Sequence, residues 1–212
     1  YAAVFCHVLE QHRPVCSQVA GNLLVGAPAA WAISRLRFRG RSMVRGLYIV
    51  LMLLPFQVTM VPSYLVLRQF GLLDTPWAII LPGIFSTFPV FIMERGFDTI
   101  PREVLESASI DGANQWQRFW RIGIPLGIPG LISALTLGFL DAWNAIEQPM
   151  TFLESPQYWP LSLFFTDPAN LDTKQLGLAM AASLWMLLPS ILVFRFGQTY
   201  LEAGLTKGAV KG

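Results

Sequence analysis

From Leu47 to Leu67 the chain runs without a single Asp, Glu, Lys or Arg, and it does so again from Trp77 to Met93, Ile122 to Leu140 and Leu176 to Phe194. A bilayer core of about 30 Å is crossed by about 20 mostly apolar residues rising about 1.5 Å each. A fifth uncharged run, Val15 to Ser34, is diluted by Gln18, Gly21, Asn22, Gly26 and Pro28. Backbone amides cannot stay unpaired in lipid, and these runs are too long and unbroken for the alternating strands of a barrel, so helices are the physical solution. The expected fold is therefore all-α: a polytopic transmembrane helical bundle forming one domain over 1–212, with spans near 15–34, 47–67, 77–93, 122–140 and 176–194.

Composition agrees. Hydrophobic residues make up 54% of the chain and charged residues 13%, about half the charged share of roughly 25% usual in soluble domains. The mean hydropathy is +0.51. Pro55, Pro62, Pro82, Pro89, Pro129 and Pro189 fall inside the runs. Membrane helices tolerate proline because neighbours re-satisfy the freed carbonyls.

The distribution of charge sets an orientation. Arg35, Arg37, Arg39, Arg41 and Arg45 crowd the first connector, Arg95, Arg102, Arg118 and Arg121 the third, and Arg195, Lys207 and Lys211 the tail, whereas the other side has Arg13, Arg68 and Lys174. Cytoplasmic connectors carry the Lys/Arg excess, so the first and third connectors and the C-terminus are expected inside and Tyr1 outside. The net charge of +2 is topological and does not speak for nucleic acid. Cys6 and Cys16 read as incidental thiols in an outside N-terminal stretch, and His7 and His12 as solvated loop residues without a third metal ligand. Tyr1 is not followed by the basic flank and apolar core of a cleavable signal.

One connector is too organised to be a mere link. In 94–121, Pro101 suits the first position of a short helix, and Glu103 and Glu106 favour its positive end. Val104, Leu105, Ala108 and Ser109 form a face of mostly small residues. Gly112 is placed to end that helix with a positive φ, and Asp111 or Asn114 to cap the next. Trp116, Phe119 and Trp120 then recur at helical spacing. By composition alone this helix–turn–helix reads equally as an amphipathic connector lying on the headgroups.

In order, however, Glu106, Ser107, Ala108, Gly112, Ile122, Ile124 and Pro125 resemble the cytoplasmic loop of ABC-importer permease subunits, Glu-Ala-Ala, three residues, Gly, nine residues, Ile-x-Leu-Pro. Both spacings match, and Ser107 for Ala and Ile124 for Leu are the departures. SRLRFRGR at 34–41, LLDTPWAIILP at 72–82 and GLTKGAVKG at 204–212 are similar to the sugar-importer branch related to the maltose-type permeases. The resemblance runs from about Asn22 to Gly212. Members usually carry a further N-terminal span, so this chain is expected to be a piece of a longer one.

The resemblance implies a transmembrane permease subunit of the bacterial cytoplasmic (inner) membrane, forming half of a pore for a sugar, oligosaccharide or related polyol ester. It would work with a second permease subunit, two ATPase subunits and an extracytoplasmic solute-binding protein. Glu106, Ser107, Ala108, Asp111, Gly112, Ala113, Phe119 and Pro125 would couple it to the ATPase, and Gly204, Lys207 and Gly208 in the tail would touch that partner. ATP and Mg would be bound there and no cofactor or metal by this chain, which has no G-x-x-x-x-G-K-[ST] loop. No catalytic residue is expected.

Asp141, Trp143, Asn144 and Gln57 are candidates for the substrate path; polar groups of this kind equally join helices. The segment 147–175, with Tyr158, Trp159, Phe164 and Phe165, reads as a long outer loop, either an interfacial aromatic belt or a binding-protein contact. The alternative reading is an ion-coupled secondary transporter, which would need ionisable ligands near the midplane. The uncharged runs supply none, and nothing in that reading accounts for the Gly112 loop.

Overall fold

The computed structural model describes residues 2–164 and 176–209, and all of their regular structure is helical. The helices are α1 Ala2–Arg35, α2 Arg41–Leu53, α3 Phe56–Gln69, α4 Trp77–Ile84, α5 Thr87–Asp98, α6 Arg102–Ile110, α7 Gln115–Arg118, α8 Ile124–Trp143, α9 Glu147–Phe152, α10 Leu161–Phe164 and α11 Leu176–Ala209. Two stretches among the described residues, Trp77–Asp98 and Gln115–Trp143, are long and apolar enough to cross a membrane, and the bent pair α2 and α3 makes a third if counted as one span. The expected spans at 15–34 and 176–194 lie within α1 and α11, each of 34 residues.

Proline acts in two ways in these segments. Pro55 sits between α2 and α3, where its extended conformation (φ −66°, ψ 151°) starts a new helix. Pro62, Pro82, Pro129 and Pro189 are carried inside helices. The expected span at 47–67 is thus broken, and that at 77–93 is interrupted near Ser86.

Two further expectations are corrected. The stretch before Val15 is helix, not loop: α1 begins at Ala2 and passes through Cys16, which is free and exposed, and His12, whose ring lies 4.9 Å from that of Trp143. Absence of charge bounds an apolar segment, not the helix that contains it, and Ala2, Ala3, Leu9, Glu10, Gln11 and Arg13 are good helix formers. The segment after Glu147 is not structureless either, for α9, a 3-10 turn at Pro156–Tyr158 and α10 occupy it as far as Phe164. The side chain of Phe164 and residues 165–175, with Phe165 and Lys174, lie outside the described ones.

The chain divides into two compact units. One comprises Tyr1–Ala20, Leu54–Ile84 and Phe139–Arg195. Its core gathers Leu67, Ala78, Phe152 and Leu153, with Phe56 and Trp159 against them. The other comprises Gly21–Leu53, Phe85–Gly138 and Phe196–Gly212. There Ala27, Trp31, Val90, Met93, Phe97, Ile100, Leu105, Phe119, Leu131 and Ala134 form the core. In that unit α5 and α8 meet at Gly96 and Gly130, where a Cβ added to Gly96 would lie 2.6 Å from Gly130 Cα, so backbone meets backbone as small residues permit in membrane bundles.

A candidate coupling loop and its supports

The connector between α5 and α8 is built on two apolar anchors. Leu105 of α6 is buried, as is Phe119, and both join the core around Phe97 and Trp31. Between the anchors the chain turns back through a two-bond helix stop: Gly112 N–H donates to Ser109 O at 3.2 Å, and Ala113 N–H to Ala108 O at 2.9 Å. Gly112 holds φ +83°. This is the Schellman pattern, which places a glycine after the cap and brings the residue beyond it against the last turn. Ala108 and Ala113 occupy those two contact positions. An added Cβ at Gly112 would meet nothing within 4 Å, so backbone conformation, not crowding, demands the glycine there.

The next helix starts with a complete capping box. Asn114 Oδ1 accepts from Gln117 N–H at 2.8 Å, and Gln117 Oε1 accepts from Asn114 N–H at 2.9 Å. Pro101 lies one position earlier than expected: it is the cap of α6, extended at ψ 141°, and Arg102 is the first helical residue. On the outer face of the loop Glu106, Ser107, Ser109 and Asp111 are exposed, and Ile110 is 86% exposed, an apolar side chain without cover. Ser107 Oγ bonds back to Val104 O at 3.1 Å. The aromatic stripe is real but divided. Phe119 faces the core, while Trp116 and Trp120, with ring centroids 5.7 and 5.1 Å from that of Phe119, are exposed. Pro125 is exposed just inside α8.

Arginines fasten this loop to the first connector. Arg35, at the end of α1, donates to Phe97 O and, at 2.6 Å, to Ile100 O, satisfying carbonyls at the end of α5. Arg41 does the same for α1 through Ile33 O and Ser34 O. Arg45 of α2 pairs with buried Glu94 and, at 3.0 Å, with Asp98, which also accepts from Ser34 Oγ at 2.7 Å. Nothing in the spacing of these residues had marked the pairings. The sign available in the sequence was Glu94, an acid directly at the end of an uncharged run.

The proposed path residues lie in the other unit. Trp143 is fully buried and its Nε1 donates to Met186 O at 2.9 Å. Asn144 Nδ2 bonds to Leu140 O at 2.7 Å, and Asp141 is exposed on α8. Gln57 donates to both carboxylate oxygens of Glu147 at 2.9 and 2.8 Å. The four are not gathered into one polar site by any of these bonds. A residue missed by sequence reasoning, Asp74, is the stronger organiser: at φ +55° it accepts from Glu154 N–H, Ser155 N–H and Ser155 Oγ at 3.0, 2.7 and 2.5 Å. These hydrogen bonds, led by the Ser155 hydroxyl, hold its carboxyl below the ordinary range. Its signal was an Asp two residues before Pro in a turn. A cavity of about 420 Å³ lies nearby, with Arg13, Gln157, Tyr158 and Trp159 in its lining. Among the described residues no group of three or more His, Cys, Asp or Glu is placed to hold a metal ion. Gly204, Lys207 and Gly208 continue α11 as backbone, and their side chains are outside the described ones.

Helical spans joined by a capped, glycine-stopped connector define a polytopic helical membrane protein, and the comparisons name its family. Residues 22–207 match the binding-protein-dependent transport system inner membrane component, and the chain belongs to that family. It is similar to the inner membrane ABC transporter permease protein YcjP of Escherichia coli (strain K12), 33% identical over 192 residues, or 90% of this chain and 69% of that one. The diacetylchitobiose uptake system permease protein DasC of Streptomyces coelicolor is 32% identical, covering 93% and 72%. A crystal structure of a bacterial ABC transporter that imports the acidic polysaccharide alginate contains a chain 26% identical to it, with a TM-score of 0.77 over 92% of this chain and 74% of that one. The chain is therefore an ABC-importer permease subunit, not an enzyme. It spans about two-thirds to three-quarters of the length of these relatives.

Proposed function

We propose that the chain forms half of the translocation path of an importer for a sugar or oligosaccharide, and that its connector 94–121 couples that path to a cytoplasmic ATPase. The observation that carries the reading is a contrast across α6: Leu105 fastens one side into the core, while Glu106, Ile110 and Asp111 stand exposed on the other. An exposed Ile rimmed by acceptors is the composition of a docking surface, apolar at the centre and polar at the edge. A second permease, two ATPase subunits that bind ATP and Mg, and an extracytoplasmic solute-binding protein complete the assembly.

ATP can drive transport only by favouring one permease conformation over another, so the loop must transmit force without unfolding. The helix stop at Gly112, the capping box at Asn114 and the arginine bonds to the end of α5 give it that stiffness. A carbohydrate substrate is supported by relatives such as DasC, named for diacetylchitobiose, and by the alginate importer. The bonds between the first arginine-rich connector and the third support placing both on the cytoplasmic side, with the C-terminus. Tyr158 is exposed and available to a binding protein outside, while Trp159 packs on the core.

Gentle solubilisation followed by mass spectrometry of co-purifying proteins tests this, with the intact chain and with 106–113 deleted. We expect an ATPase that is lost with the deletion. An ATPase retained by the deleted chain would overturn the docking role, and none in either sample would overturn the importer assembly.

A further inference from the structure

Between the coupling loop and α8 the chain makes a wide turn, the π-helix Phe119–Gly123, closed by Ile124 N–H donating to Phe119 O five residues back. Pro125 accounts for its place. Proline has no N–H for the Arg121 carbonyl and its ring crowds that oxygen, which favours opening just before it, while α8 carries Pro129 without opening, so an α setting stays within reach. Phe119 and Gly123 are the buried residues of the turn, and both face Trp31 of α1. The Trp31 and Phe119 ring centroids are 5.8 Å apart, and a Cβ added to Gly123 would lie 2.6 Å from Trp31 Cζ3. Trp31 also stands edge-on to Phe97 of α5 at 5.4 Å.

Two donors at this turn lack acceptors. Trp31 is 4% exposed and its Nε1 has no partner among the described residues; nor does the buried Nε of Arg118, the residue immediately before the turn. Buried unpaired donors are uncommon enough to need a reason. Two of them beside a π turn are the groups that a second arrangement would have reason to pair.

Resting on the coupling role given above, we propose that Phe119–Gly123 is a joint with two settings, π and α, and that Trp31 and Gly123 are the positioning residues that transmit its motion to α1 and α5. Relaxation from π to α shifts the register by one residue, turning everything before it by about 100° and moving it about 1.5 Å along the axis. Phe119 would leave the Trp31 face and α7 would turn with it, while α8 keeps its place. Packed interiors move between discrete arrangements, and a two-state element is what coupling between sites requires. Gly123 lets the indole sit in the turn itself, so the ring feels which setting is adopted.

The test uses the complete transporter in vesicles, reading solute imported per ATP hydrolysed. Gly123→Ala is expected to lower that ratio about fivefold with the ATPase still bound, the scale of mutations that alter coupling. Trp31→Leu makes room for the new methyl, so the double variant should return to within about twofold of Trp31→Leu alone. A packing role alone would change yield and melting temperature and leave the ratio unmoved. Trp31→Phe keeps a ring, removes the unpaired donor and covers the case in which Gly123→Ala fails to assemble; it should change the ratio about threefold. An unchanged ratio in the assembled variants, or additive losses in the double variant, overturns the joint. Loss of the ATPase from the unmutated transporter would instead overturn the coupling reading beneath it.

Discussion

Gly112 is the residue at which the coupling motif and backbone chemistry can be separated. Its φ of +83° belongs to the left-handed region, while the space around it is open. An L side chain there costs about 1–2 kcal/mol for conformation alone, and Asn bears that conformation better than Ala. Gly112→Ala should therefore depress ATP-driven uptake about tenfold, and Gly112→Asn clearly less. Uptake assays on both variants at matched expression decide it. Equal loss would mean that the partner needs the bare backbone at Gly112, and the turn would then not be the reason for the glycine. The stop at Gly112 and a cap at Asp111 or Asn114 were legible without coordinates because helix stops and caps are local chemistry, whereas the spacing of Glu106, Gly112 and Pro125 spoke only through its resemblance to the permease loop. The buried state of Phe119 was not, since its periodicity with Trp116 and Trp120 describes a face and is silent on which neighbour covers it.

Among the elements, the turn before α4 and the segment after α9 depend on one carboxylate. Asp74 N–H donates to Phe152 O at 2.9 Å, and its side chain takes three bonds from Glu154 and Ser155. Its folded pKa lies below the ordinary 3.8. A depressed carboxylate adds stability that is fully present above its unfolded value and is lost as pH falls through the folded one. Asp74→Asn keeps a side chain that tolerates positive φ but removes the charge. The variant should melt lower than the parent at about pH 7, and the gap should close below about pH 4 as the parent's Asp74 protonates. Thermal melts in detergent across that range check it, and a gap that persists in acid would assign the loss to shape. Legibility failed here in a specific way. Pro55 breaks a run that Pro62 and Pro82 do not, because the same residue either ends a helix or is absorbed by its neighbours, and only packing chooses.

For the whole chain the open question is its orientation, and the arginines must be sorted before they are counted. Arg35, Arg41 and Arg45 spend their charge on helix-end carbonyls, Glu94 and Asp98. That leaves Arg37, Arg39, Arg95, Arg102 and Arg121 exposed on the first and third connectors and Arg195 exposed on α11, against exposed Arg13 and Arg68 on the segments expected outside, among the described residues. The bias survives the sorting, so the orientation read from raw composition rests on free charge, the kind that resists translocation. Alkaline phosphatase fused after Gly212, or within 112–114, should be inactive, and fused within 70–75 it should be active, because the enzyme folds only outside the cytoplasm. Substituting Gln at Arg37, Arg39, Arg95, Arg102 and Arg121 together should weaken that contrast, whereas substituting Arg35 and Arg41 should lower the amount of folded protein and leave the contrast intact. An active fusion after Gly212 would reverse the chain and put Glu106, Ile110 and Asp111 on the side that has no ATPase.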